Sequence, residues 1–380
     1  MSSHNESSFE IAVPDSDITD LIDRLSRTRW PELETVTDWS QGVPLTYLRS
    51  LCEYWSRGYD WREREAGLNR FPQFRTTIEG LGIHFIHVRS RNPDALPLVI
   101  THGWPGSFVE FLAAIGPLTD PGAFGGEPAD AFHVVCPSLP GYAFSDKPTS
   151  TGWGVDRIAS AWAQLMTNLG YSRYGAQGGD WGSAVTSRLG VLDAAHVVGI
   201  HLNMLSVGRD PRSEDLTQAE IAALEAMKYY NEWDSGYAKE QSTRPQTIGY
   251  SLVDSPVGLC AWILEKFWSW TDTDGDPIGV LGADRILDNV MLYWLTGSGA
   301  SAARLYWESL RGRSAERIEV PTGVSIYPKE IFRPSRRWAE HRYSNIVHWE
   351  ELSRGGHFAA FEQPNLFVDQ LRRFFRIVRE

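Results

Sequence analysis

Cysteine is scarce in this sequence: Cys52, Cys136 and Cys260 are the only three, far apart and in no Cys-x-x-Cys pair. That excludes a disulfide framework and a cysteine-based metal site, and predicts reduced, buried thiols. Dense basic runs are also missing. The formal net charge is -12, and an acidic surface repels phosphate backbones, so nucleic acid is set aside as a partner. No apolar run approaches the ~20 residues that a membrane helix needs. The N-terminal MSSHNESSFE is polar, without the apolar region of a signal peptide. These absences predict a soluble, cytoplasmic protein with no membrane partner. Internal repeats and low-complexity tracts are absent as well.

What is present is enough apolar sequence for a large core. The chain has 380 residues and is 42% hydrophobic, which suits one elaborated α/β domain. After Pro14, Ile18, Leu21, Ile22 and Leu25 share one helical face, with Asp15 or Ser16 as the cap. A second helical stretch runs from Pro44 to Phe71. Residues 1–70 thus read as a helical arm packed on a larger body. From residue 71 the pattern changes. QFRTTIEG and LGIHFIHVRS form a hairpin around a Glu-Gly turn, and PLVI, AFHVVC, YGAQG and HVVGIHL are buried strands alternating with helices. That alternation predicts a mostly parallel sheet with helices on both faces. It stops near Met204. Residues 205–313 read as a helical cap, and strand signals return in 314–380, so the α/β core is split into 71–204 and 314–380.

One stretch raises the chemical question. Residues 177–183 read QGGDWGS. Hydrolases place a nucleophilic serine in such a glycine frame, on a tight strand-to-helix turn, but here Asp180 holds that position and Ser183 stands three residues later. Small neighbours let the helix approach the strand, and its N-terminal dipole faces the central residue. Upstream, THGWPGS follows the strand PLVI. In a hydrolase of this type the backbone N–H groups of Trp104 and Trp181 form an oxyanion hole. His102 reads as structural. Late in the chain, His357 sits in the loop RGGHF after the last strand, where a base can reach over the sheet edge. His84 and His87 point to opposite faces of one strand, which argues against a metal pair.

A base needs an orienting acid. The strand before the insertion ends in His201-Leu202-Asn203, with no acid; the one after it ends in IYPKE, which makes Glu330 the candidate. Glu350, Glu351 and Glu362 are rivals beside the His357 loop. The order Asp180, Glu330, His357 is the nucleophile–acid–base order of the α/β-hydrolase fold. An aspartate nucleophile selects its electrophile. Attack on an ester or amide would give an anhydride, whereas attack on an epoxide or alkyl halide gives an alkyl ester of Asp180. His357 then activates water against that ester. No cofactor and no metal is called for. Epoxide opening also needs a proton donor, and a tyrosine suits. Tyr229, Tyr230, Tyr237, Tyr250, Tyr293 and Tyr306 all lie in the insertion, and the residues alone do not choose among them.

Long motifs now connect the chain to a family. RLSRTRWPE, LNRFPQF, HGWPGSF, CPSLPGYAFS, GGDWGS, STRPQTIGYSLVDSPVGL, NVMLYW, PTGVSIYPKE and RGGHFAAFEQP resemble the microsomal-type epoxide hydrolases of the α/β-hydrolase superfamily, over nearly the whole length. The resemblance implies a triad of Asp180, Glu330 and His357, acid tyrosines at Tyr237 and Tyr306, a small-molecule epoxide and water as reactants, and a vicinal diol as product. Membrane-bound members begin with an apolar anchor that this sequence lacks, which resembles a soluble bacterial relative. Similar actinobacterial proteins are associated with antibiotic pathways, where the epoxide belongs to a natural product such as an enediyne. A homodimer is the expected self-assembly. Two alternatives remain at this point: a haloalkane-type dehalogenase using the same aspartate, and a non-catalytic binding protein on a hydrolase scaffold. Trp233, Trp268, Trp270 and Trp294 in the insertion point to a bulky or aryl substrate.

Overall fold

A computed structural model describes residues 6–209, 215–310 and 316–379. The arm begins with a strand that the pattern did not predict: β1 (Ser7–Phe9) pairs antiparallel with β2 (Gln73–Ile78) at the sheet edge. Three polar-flanked residues carry no readable alternation, so only the pairing partner reveals the strand. Helix α1 (Asp15–Ser26) follows, but Pro14 is its N-cap and neither Asp15 nor Ser16 caps it. Asp15 and Asp17 instead sit in the first turn, where acids favour the helix dipole. The expected single stretch over 44–71 is two helices, α2 (Leu45–Arg57) and α3 (Trp61–Leu68). The chain breaks at Gly58, and Asp60 accepts from the amides of Arg62 and Glu63 to restart it.

The sheet has nine strands in the order β1-β2-β3-β5-β4-β6-β7-β8-β9. β3 (Leu81–Val88) forms the predicted hairpin with β2, turning through Glu79 and Gly80 at positive φ. β4 (Leu96–Thr101), β5 (Phe132–Pro137), β6 (Tyr174–Gly178), β7 (Val197–Leu202), β8 (Thr322–Ile326) and β9 (Ile346–Glu351) are parallel. Helix α4 (Leu112–Thr119) joins β4 to β5; α5 (Val155–Asn168) joins β5 to β6; α6 (Asp180–Leu192) joins β6 to β7. Right-handed crossovers in opposite directions place α4 on one face and α5 and α6 on the other. The strand order reverses between β4 and β6. In open α/β sheets that switch point, at the carboxyl ends of the strands, is where ligands bind.

The helical insertion leaves after β7. It contains α7 (Gln218–Tyr229), a π-helical turn (Tyr230–Asp234), α8 (Gly236–Thr243), α9 (Pro245–Asp254), α10 (Pro256–Trp270), α11 (Pro277–Leu281), α12 (Ala283–Leu295) and α13 (Gly299–Ser309). Its expected end at residue 313 lies outside the described residues. Short helices α14 (Arg336–Ala339) and α15 (Ala359–Glu362) flank β9, and α16 (Pro364–Val378) closes the chain. The arm grips the insertion rather than only the sheet. Tyr59 donates to Asp288 at 2.8 Å, the Arg64 guanidinium lies 2.5 Å from the same carboxylate, and Trp39 stacks on Trp268 at 4.9 Å. Cys52, Cys136 and Cys260 are free and buried. Among the described residues, no single helix is long and apolar enough to cross a membrane.

Candidate active site

Asp180 is the first residue of α6 and has φ +48°. A left-handed conformation at a non-glycine residue costs about 1–3 kcal/mol, so the surrounding turn must impose it. Close approach does so. A Cβ on Gly182 would overlap the Thr101 and His102 carbonyls, and one on Gly103 would overlap the Asp180 side chain. The glycine frame therefore lets β4, β6 and α6 converge on one carboxylate. Its Oδ1 accepts the Trp104 backbone N–H at 2.8 Å. Trp181, next in α6, has an amide in the helix's first turn, where no intrahelical acceptor is available.

His357 approaches from the far side of the sheet edge. Its Nε2 lies 3.5 Å from Asp180 Oδ2, and its Nδ1 is 2.7 Å from Glu330 Oε1. His357 and Glu330 are both buried. Glu330 Oε1 also accepts the Ile331 amide at 2.7 Å, which holds the carboxylate in place. Burial pushes the imidazole down, but the Glu330 carboxylate, then Asp180, outweigh it and hold His357 well above the ordinary histidine range. The rival acids lie elsewhere. Glu350 faces Arg373 at 3.4 Å. Glu351 is exposed, beside the Trp349 indole. Glu362 accepts from the amides of Phe358 (3.0 Å) and Asp272 (2.8 Å), so it stitches the histidine loop to the end of α10. His102 is structural: Nδ1 bonds the Gly103 carbonyl at 3.0 Å and Nε2 accepts from Leu139 at 3.1 Å. His84 bonds Ser138 and Gln73, and His87 bonds Tyr171, so the two do not converge.

The insertion supplies the roof. Of the six tyrosines left open by the residues, Tyr237 and Tyr306 come together over the Asp180 loop. Tyr237 stacks on Trp104 at 4.6 Å, Tyr306 packs edge-on to Trp181 at 4.8 Å, and the two phenol rings are 5.7 Å apart. Burial first, then neighbouring negative charge including Asp180, raises both phenols well above the usual tyrosine range, so both keep their protons. Tyr230 hydrogen-bonds Tyr237 at 3.0 Å. Tyr229 and Tyr250 are exposed, and Tyr293 donates to the Gly106 carbonyl at 2.8 Å. A cavity of about 700 Å³ opens between these tyrosines and Asp180, walled further by Trp181, Met204, Tyr230 and Phe332. None of the four tryptophans expected to shape it lines it. Trp233 is 78% exposed, Trp268 stacks on the arm, Trp294 faces Arg24, and Trp270 packs against His357 at 4.9 Å.

One neighbour was not visible in the sequence. Glu110 shares a second cavity, of about 20 Å³, with Asp180, His357 and Asn203. Burial pushes its carboxyl up to about 8, partly offset by His357. Its position depends on how the Trp104 loop folds back, and no spacing rule encodes that.

Comparison with known proteins places this fold in a family. Residues 6–111 match the family model described as epoxide hydrolase N terminus, and residues 97–245 match that described as alpha/beta hydrolase fold. A Stigmatella aurantiaca (strain DW4/3-1) relative bearing an epoxide hydrolase name is 56% identical over 98% of this chain and 85% of its own length. Epoxide hydrolase 1 of Sus scrofa is 37% identical over 98% of this chain and 89% of its own. The solved Aspergillus niger epoxide hydrolase superposes with a TM-score of 0.90 at 36% identity, covering 98% of this chain and 97% of that one. The chain belongs to the microsomal-type epoxide hydrolase family of the α/β-hydrolase superfamily.

Proposed function

We propose that this epoxide hydrolase opens its substrate through a covalent alkyl ester of Asp180. The observation that carries the reading is the placement of one carboxylate between an imidazole at 3.5 Å and two buried phenols across the cavity. Asp180 attacks an epoxide carbon while Tyr237 and Tyr306 hydrogen-bond the oxygen and supply its proton as the ring opens. Esterification removes the Asp180 charge. One of the causes that hold His357 protonated is thereby lost, so its pKa falls at the stage when a neutral base is needed. Water in the cavity beside His357, Glu110 and Asn203, large enough for one molecule, attacks the ester carbonyl. The Trp104 and Trp181 amides stabilise the tetrahedral oxyanion; the expelled alkoxide takes from His357 the proton drawn from water, which gives the diol, and the proton left on the Asp180 carboxyl restores the phenol.

The tyrosine pair makes the reading testable. Tyr237→Phe and Tyr306→Phe each slow Asp180 alkylation by about 10²-fold, and together they slow it far more than either alone, because both assigned donors to the leaving oxygen are then gone. Single-turnover rapid quench with one enantiomer of styrene oxide checks this. Unchanged alkylation in the double variant contradicts the proton-donor role.

Glu330 sets the pH dependence of the second step. Its carboxylate raises the His357 pKa, so Glu330→Gln lowers it. The rise of ester hydrolysis with pH then moves to lower pH, while the plateau rate falls by about 10²-fold as the imidazolium loses its partner. The pH profile of diol release in single turnover reports both effects.

For substrate we propose a bulky or aryl epoxide, supported by the aromatic walls and the volume of about 700 Å³. The size also suits a natural-product epoxide, the setting implied by the resemblance to antibiotic-pathway proteins. The cap role proposed for residues 205–313 rests on the two tyrosines that the insertion holds over Asp180.

A further inference from the structure

Lys266 is a lysine with 3% exposure in α10, inside the insertion. Desolvating an ammonium is expensive, and a well-packed apolar side chain would serve packing alone at least as well. Its surroundings are specific. Nζ lies 2.6 Å from Asp234 Oδ1, 3.1 Å from the Asp234 carbonyl oxygen and 2.7 Å from Glu265 Oε2. Asp234 is fixed in turn, because its Oδ2 accepts from the Trp270 indole at 2.6 Å and from Ser269 at 3.1 Å. The ammonium so held sits over the Tyr237 ring, 4.8 Å from its centroid, and 5.4 Å from the Trp270 ring. Trp104 is stacked against the same phenol. Tyr237 therefore packs against both an indole and a cation, on the wall of the cavity that faces Asp180.

We infer that Lys266 is a positioning residue for the proton donor Tyr237: its ammonium, anchored by Asp234, stabilises the charge that develops on the phenol as it gives its proton to the opening epoxide. The inference rests on the reading of Tyr237 as that donor. A cation over an aromatic face attracts the neutral ring modestly. It attracts a ring carrying phenolate character more strongly, since full charge then faces charge at low local dielectric. The interaction is thus greater in the transition state than in the ground state, which is the condition for accelerating the step. Asp234 and Glu265, the ligands of the ammonium, offset part of its field. The π-helical turn that ends at Asp234 connects this anchor directly to Tyr230, the hydrogen-bond partner of Tyr237.

A double-mutant cycle tests the inference, with single-turnover alkylation and ester hydrolysis measured separately on one enantiomer of styrene oxide. Lys266→Met slows alkylation by about 10- to 100-fold and leaves ester hydrolysis within about twofold. In the Tyr237→Phe background the same change costs nothing further. Lys266→Arg, which keeps the charge, restores alkylation to within a few-fold. Lys266→Met leaves Asp234 without its cation, so Lys266→Met with Asp234→Asn, which keeps the net charge of the Lys266, Asp234 and Glu265 cluster as it is in the wild type, is expected to show the same loss. An equal loss of both half-reactions, or an undiminished loss in the Tyr237→Phe background, overturns the role of Lys266 and leaves it as packing. If Tyr237→Phe alone alkylates at the unaltered rate, the donor reading fails first, and the inference falls with it.

Discussion

Replacing His357 with glutamine stops the enzyme after one chemical step. Alkylation of Asp180 needs no base, since a carboxylate attacks as the anion without a proton to remove. The first step therefore proceeds within about tenfold of its ordinary rate. The second does not, because the group 3.5 Å from Asp180 that takes the water proton is gone. Steady-state diol formation falls by about 10³-fold or more. The peptide carrying Asp180 gains the mass of one substrate molecule, and mass spectrometry of the quenched protein detects it. Glutamine keeps a polar side chain of intermediate size, so a folded protein is expected and a thermal melt checks it. An unmodified peptide in a protein that still consumes epoxide would remove Asp180 from the nucleophile role.

Asp180→Ala has the larger effect. It takes away both the nucleophile and the acceptor of the Trp104 amide at 2.8 Å. Diol formation falls by about 10⁴-fold or more, and no adduct forms at any time. Stability changes little, because opposing terms meet: the Trp104 amide loses its acceptor while a charge is removed from the site. Asp180 is held at φ +48°, beside His357 and near the phenols, so the wild-type residue is strained for function. Alanine keeps the strained backbone but removes a desolvated charge. His357 then loses one of the carboxylates that raise its pKa and titrates lower. Measurement of initial rates over a wide enzyme concentration range, with a calorimetric melt on the same sample, checks both halves. Residual activity within tenfold of wild type would contradict the assignment of Asp180.

The parts of the site that sequence reasoning reached share a physical feature: their geometry is local. Gly178, Gly179 and Gly182 around Asp180 encode a tight turn because a side chain there collides with α6, with Asn203 or with the end of β4. His357 carries a glycine on its N-terminal side and follows the last strand. Glu330 follows from chain order, since the only other strand end available offers Asn203. Tyr237 and Tyr306 are different. They sit on α8 and α13, and only tertiary packing against Trp104 and Trp181, which follow β4 and β6, brings two of six tyrosines over the Asp180 loop. Family motifs identified them; periodicity did not. Glu110 and Lys266 were hidden for a related reason. Each lies in a stretch that reads as ordinary amphipathic sequence, SFVEFLA and ILEKFWSW, and the burial of each charge is decided by elements distant in the chain. The same applies to the tryptophans: composition counted Trp233, Trp268, Trp270 and Trp294 as pocket walls, whereas the wall is built by Trp181, Tyr230 and Phe332.

The arm follows the same division. Its helices were legible from apolar spacing, and its strand β1 was not, because three residues gain strand character only from pairing with β2. What the arm does is tertiary. Through Tyr47, Tyr54, Tyr59 and Arg64 it fastens the insertion at Asp276, Asp284 and Asp288. Arm and insertion thereby hold the roof of the cavity over a sheet edge that carries Asp180, Glu330 and His357.

The covalent ester is the centre of this account, and isotope placement tests it most directly. A single turnover is run in water enriched in oxygen-18, with enzyme in excess over one enantiomer of styrene oxide. One diol oxygen then comes from the epoxide and the other from the Asp180 carboxylate, so the first-turnover diol is unlabelled and the heavy oxygen appears in the Asp180 peptide. A first-turnover diol carrying one oxygen-18, with an unlabelled Asp180 peptide, would mean direct attack by water and would contradict the mechanism.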